Sequence, residues 1–148
     1  MFVGALLLGD SRHPEARPLV EAARRGEMPA CTTTGILSEV YAALTWAQAQ
    51  PPHTPQEAAL AIRLLVEPPS AIRVLLEDFS VAMRTLALAE THNLTARRVH
   101  DARHAATALH GGVFSVYTYD AGDWQVFRPD GLLITGPPST LTRLNPQP

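Results

Sequence analysis

Apolar positions recur along this chain at helical and at strand-like spacings, and the alternation between the two predicts its elements. Residues 2–8, FVGALLL, are apolar throughout, and so short a run suits a strand or a helix equally. Over 13–25, Ala16, Leu19, Val20 and Ala23 recur at helical spacing. Pro14 suits the first turn of that helix and Gly26 is placed to end it. A short strand is expected at 28–32. Thr33 or Thr34 then caps a helix reaching about Ala49, ahead of Pro51-Pro52. Thr54, Pro55 and Glu57 have the arrangement of a capping box and open a helix to about Glu67. Residues 71–76 suit a strand, 79–92 a helix and 93–95 a turn. Arg98–His110 reads as an Ala-rich helix closed by Gly111-Gly112. Residues 113–118 form the clearest strand, with a second at 131–135.

Short β-compatible runs between helices predict an α/β fold, a small parallel sheet with helices on both faces. One domain over 1–136 is expected, with the Pro-rich 137–148 as a loose tail. Ligands of such folds gather outside the carboxyl ends of the strands. That places Thr118, Asp120 and Asp123 of TYDAGDW where chemistry is expected.

Composition narrows the classes. The 148 residues are 46% hydrophobic and 18% charged, as in a globular domain able to bury its own core. Cys31 is the single cysteine, which excludes an internal disulfide or a thiolate zinc site; it reads as a small apolar residue beside a strand. A net charge of −2 argues against a broad basic face for nucleic acid. All 12 cationic residues are Arg, a count that coding bias explains as well as phosphate recognition does. No apolar run approaches the roughly 20 residues of a membrane span. MFVGALLLGD lacks a cationic start and a cleavage site, so a cytoplasmic protein with no membrane attachment is expected. The nine glycines form neither G-x-G-x-x-G nor a P-loop.

Two acids sit in unusual surroundings. Glu39, in GILSEVYAAL, has Gly35, Ala42 and Ala43 one turn away, and Asp101, in VHDARHAATAL, is followed by Ala105 and Ala108. Faces so short of bulk allow another group to approach closely, or merely pack tightly. If Glu39, Asp101 and Asp120 converge, their repulsion requires a cation, and oxygen donors without Cys suit Mg²⁺ or Mn²⁺. Such an ion suits phosphodiester hydrolysis. His100 and His104 have zinc-compatible spacing but no third ligand, so they read as surface histidines. Arg97, Arg98 and Arg103 are either RNA-phosphate contacts or a solvated helix start. Tyr41, Leu44 and Trp46 read as core or as a partner interface.

Four stretches in order, FVGALLLGDSRHPEARPLVEAARRG, TTTGILSEVYAAL, HDARHAATALHGGV and VYTYDAGDWQVF, together with GLLI and Pro137, resemble the PIN-domain family and in particular its VapC-type toxin ribonucleases. VYTYDAGDWQVF is similar to that family's Thr-x-Asp-x-x-Asp-Phe signature, with Trp124 in the aromatic place. The resemblance implies a three-layer α/β/α fold and a Mg²⁺- or Mn²⁺-dependent ribonuclease. It also implies silencing by a cognate antitoxin protein, and often a homodimer. Glu39, Asp101 and Asp120 would hold the metal, with Thr118 and Asp123 in support. The family's opening strand and its first Asp have no counterpart here, since FVGALLLGD already matches the helix that follows them. Asp10 lies in the loop beyond that helix and is a poor substitute. A catalytically impaired remnant that still binds an antitoxin or a second copy is the alternative, and a hydrolase of small phosphoesters a third reading.

Overall fold

The computed structural model describes residues 1–140 and gathers the chain into two compact units, residues 1–74 and the residues from Leu75 onward. In the first unit the opening apolar run forms a helix, α1 (Phe2–Leu6), which settles the strand-or-helix ambiguity. Gly4 of α1 lies so near the entry to α2 (His13–Arg24) that a β-carbon there would stand 3.1 Å from Arg12 Cβ. α2 buries Ala16, Val20 and Ala23, three of the four positions whose spacing predicts it.

β1 (Cys31–Thr33) leads directly into α3 (Thr34–Thr45), and the Thr33 hydroxyl caps it by accepting from Ile36 N–H at 3.2 Å. α3 stops at Thr45, short of the expected Ala49. Trp46 turns extended, and the Ala49 N–H closes a turn onto the Trp46 carbonyl at 2.9 Å. The capping box of α4 (Pro55–Val66) is formed: Glu57 N–H donates to Thr54 Oγ1 at 3.2 Å, and Thr54 N–H donates to Glu57 Oε2 at 2.8 Å. β2 (Arg73–Leu75) pairs with β1. Leu7, Val40, Leu44, Ala49 and Ala58 make the core of this unit.

In the second unit α5 (Phe79–Thr91) is capped by Asp78, which accepts from Val81 N–H at 2.9 Å. It packs on α6 (Arg98–His110), whose Ala102, Ala105, Ala106 and Ala108 are buried in one core with Val81 and Leu88. The small residues of α6 thus serve close helix packing. β3 (Ser115–Tyr117) and β4 (Leu133–Thr135) are parallel, with Val116 opposite Ile134. Between them come a single turn, α7 (Ala121–Trp124), and a 3₁₀ helix over Gln125–Asp130.

The 3₁₀ helix has no periodic signal in the sequence and is held by tertiary contacts. Trp124 and Phe127 meet edge to face at 5.6 Å, and Phe127 is fully buried. His92 Nε2 lies 2.7 Å from Asp130 Oδ2, with its ring edge against Phe127. Of the expected loose tail, Pro137 is buried and 138–140 begin a helical turn, while 141–148 lie outside the described residues. Among the described residues no helix is long and apolar enough to cross a membrane.

Two substitutions separate core from cap. Phe127→Ala is expected to cost about 3–5 kcal/mol through the cavity it leaves. Thr54→Ala should cost only about 1 kcal/mol through the lost cap. Urea denaturation of the two variants reads both values.

Candidate functional site

Because β3 and β4 run parallel, their carboxyl ends lie together, and the chain leaves β3 directly into TYDAGDW. Thr118 N–H donates to the Thr135 carbonyl at 3.0 Å, extending the ladder by one residue. Thr118 Oγ1 then accepts from Asp120 N–H at 3.0 Å. The threonine therefore shapes the turn that presents Asp120, acting on its backbone. Gly136 closes the same corner: a β-carbon there would stand 2.5 Å from the Thr118 carbonyl oxygen, so only glycine admits the approach. Trp124 drives its ring into the core, while Asp120 and Asp123 remain exposed on the rim. That is a physical reason for an aromatic residue to follow the second acid.

Asp101, in the first turn of α6, is half-buried. Burial pushes its carboxyl above the usual range, the charges of Asp123 and Asp120 add to that rise, and Arg98 and His104 oppose it. The charges of Asp120 and Asp123 thus reach Asp101. Arg98 is the cation among them. Its Nη2 donates to the Asp123 carbonyl at 2.8 Å and lies 3.8 Å from Asp123 Oδ1, while its Nε stands 4.0 Å from Asp101 Oδ2. That Nε is buried and has no hydrogen-bond partner among the described residues. Just before this turn Ala96 holds a left-handed conformation, with φ of 49°, an unusual cost for a residue with a β-carbon.

Glu39 belongs to the first unit and is exposed on α3. Among the described residues no group of three or more His, Cys, Asp or Glu stands close enough to hold a metal ion. Asp10 is already engaged: Arg12 Nε donates to its Oδ1 at 2.8 Å and Arg12 N–H does so at 2.9 Å. With the Arg12 side-chain bond as the main cause, the Asp10 carboxyl is lowered to about 2. His100 is exposed as expected, whereas His104 is buried, a correction to the reading of both as surface residues. The face it shares with Ala105 and Ala108 turns inward with the core, and a polar ring at that spacing gives no sign of it in the sequence. Arg103 Nε donates to Glu77 at 2.8 Å, so of the three arginines near Asp101 two are paired with carboxylates. Leu44 is core, whereas Trp46 and Tyr41 are exposed. Cys31 is half-buried, and burial pushes its thiol up, away from nucleophilic reactivity.

The donors suit a hard divalent ion in kind: carboxylate oxygens, one of them half-buried and still under-compensated with a guanidinium beside it. Among the described residues the arrangement does not supply the ligand number, and Arg98 stands beside Asp101 and Asp123 at 4.0 and 3.8 Å.

Sequence reasoning missed this role of Arg98. The i, i+3 spacing from Arg98 to Asp101 was the available sign; the approach of Asp123, 25 residues on, had none.

Asp101 also sets a pH dependence. A carboxyl raised on folding binds more protons in the native than in the unfolded chain, so its contribution weakens the metal-free protein as the pH rises through the carboxylate range. Asp101→Asn is therefore expected to raise the melting temperature in EDTA at pH 7. A thermal melt of the two proteins at pH 4 and pH 7 should show the gap only at the higher pH. Gly136→Ala should cost about 1–3 kcal/mol in urea by displacing the Thr118 carbonyl.

Comparison with known proteins adds one finding. A sequence model described as PIN domain matches residues 2–125. No curated protein matches the chain. The matched region runs from α1 through the acid-bearing turn after β3 and includes Glu39, Asp101, Thr118, Asp120 and Asp123. The chain belongs to the PIN-domain family, whose fold is three-layer α/β/α and whose members are generally metal-dependent nucleases.

Proposed function

We propose that this protein is an endoribonuclease of the VapC toxin kind, hydrolysing RNA phosphodiesters with Mg²⁺ or Mn²⁺ in the cytoplasm. In this reading Glu39, Asp101 and Asp120 are the carboxylates that hold the ion. Asp123 is an outer acid, and Thr118 orients Asp120 through its backbone. A divalent ion bound there supplies polarisation of a phosphoryl oxygen and a hydroxide near neutral pH.

The observation that carries the reading is that the half-buried Asp101 of α6 feels the charges of Asp123 and Asp120, which follow the carboxyl end of β3, within a PIN-domain match. Structure of the chain around these residues is devoted to presentation: Trp124 anchors, Thr118 turns, and Gly136 makes room. Silencing by a cognate antitoxin protein, and self-association as a homodimer, complete the proposal. Exposed apolar side chains support a protein partner. Phe79, Met83 and Leu86 line one side of α5, and Leu60 and Leu64 one side of α4.

One observation favours the second reading, an impaired PIN remnant acting as an antitoxin-binding or dimerisation module. Arg98 already compensates Asp101 and Asp123, so the charge that a metal would bring is partly supplied by the chain itself.

The test is RNA cleavage by the purified protein. The ribonuclease reading expects cleavage with Mg²⁺ or Mn²⁺, none in EDTA, and a fall of about 100-fold or more for Asp101→Asn. Cleavage that persists in EDTA or survives Asp101→Asn contradicts it. A protein that cuts no RNA yet captures the small protein encoded beside it supports the remnant.

A further inference from the structure

We propose that the outer edge of β3 is a self-association surface, where β3 of a second copy of this chain adds in the antiparallel direction and joins two small sheets into one of four strands. The inference rests on the homodimer proposed above, whose surface it names, and it is independent of the nuclease reading.

The backbone carries it first. β3 has β4 on one side only. Leu133 N–H donates to the Phe114 carbonyl at 2.8 Å and Thr118 N–H to the Thr135 carbonyl at 3.0 Å, with Val116 opposite Ile134 between them. Successive residues of a strand turn their N–H and C=O to opposite sides. Phe114, Val116 and Thr118 therefore serve β4, and Ser115 points its backbone groups the other way. No further strand stands there among the described residues. The side chains agree. A parallel sheet ordinarily has both faces covered, yet Phe114 of β3's entry is 60% exposed and Leu133 of β4 is 55% exposed. Two strands alone are marginal, and an open apolar edge pairs readily with another extended chain.

Symmetry and charge select a second copy as the occupant. With a two-fold axis through Ser115 the edge is its own complement, because each Ser115 exchanges N–H and C=O bonds with its counterpart. Phe114 of each copy then faces Val116 of the other, an apolar cross-strand pair. Charge fixes the direction. Asp120 and Asp123 are exposed just beyond the carboxyl end of β3, so a parallel pair would bring two acid-bearing ends together. The antiparallel pair sends them to opposite ends of the joined sheet. Each then lies alongside the amino end of the other copy's β3, where His110 closes α6 with its side chain 48% exposed. Acid meets imidazole there in place of acid.

The experiment is sedimentation of the full chain, which is expected to be a dimer. Ser115→Pro removes the outward N–H and spares the β3–β4 ladder, which does not use it; a monomer is expected. Ser115→Ala keeps the backbone and should remain dimeric. If Ser115→Pro does not fold, as read by circular dichroism, Phe114→Lys takes its place and is likewise expected to be monomeric. Opposed residues that share both bonds stand about 5.5 Å apart at Cα, within disulfide reach. Ser115→Cys in a Cys31→Ala background should therefore cross-link to a covalent dimer on mild oxidation, and Cys31→Ala alone should not. A dimer that survives Ser115→Pro, or in which Ser115→Cys fails to cross-link, overturns the inference and leaves the homodimer standing on another face. Loss of the dimer in Ser115→Ala also contradicts it, since the side chain would then carry the contact. A chain that stays monomeric throughout overturns the homodimer and this inference together.

Discussion

Partial burial of one carboxyl beside two exposed ones is the constraint to which the acid-bearing turn of the second unit answers. Asp101 is half-buried, and that burial is the main reason its carboxyl is raised, with the charges of Asp123 and Asp120 adding to the rise. Such an arrangement persists only because rigid apolar anchors hold it. Trp124 and Phe127 fix the turn after β3 to the core, and the buried alanines of α6 fix the other side. The hydrophobic interior thus holds acids at positions that their own charges disfavour.

The compensation lies in the chain. Arg98 spans Asp101 and Asp123 and donates to the backbone of α7, so one side chain both neutralises the acids and ties the two helices together. Other acids find simpler solutions. Asp10 is clamped by Arg12 in its own loop, Asp78 caps α5, and Glu57 closes a capping box. These carboxyls are all lowered, whereas Asp101 is raised. The direction of the shift separates acids that serve the fold from one that the fold has to carry.

Much of this was legible in the sequence because local chemistry decided it. Thr33 and Thr54 cap the helices they were expected to cap, and Pro14 sits in the first turn of α2. The span Arg98–His110 follows from its alanines and closing glycines. The turn TYDAGDW could be placed after a strand from the apolar run before it. What was not legible depends on partners distant in sequence. FVGALLL is too short for periodicity to choose helix over strand. The 3₁₀ helix is held by His92 and by aromatic packing, neither of which leaves a local pattern. His104 is buried because α6 turns that face inward, and a histidine at that spacing looks like any surface residue. The small residues around Asp101 suggested space for a ligand, yet Ala105 and Ala108 are spent on packing within the core. The bridging role of Arg98 needed Asp123 brought back across 25 residues.

The claim on which the functional account stands is that these acids form a home for a hard cation, with Arg98 in attendance. Anomalous diffraction from crystals of the full chain soaked in Mn²⁺ tests it most directly. The account predicts a manganese peak bonded to Asp101 and Asp120. A structure in which manganese binds elsewhere or nowhere, while Arg98 still bridges Asp101 and Asp123, would contradict it.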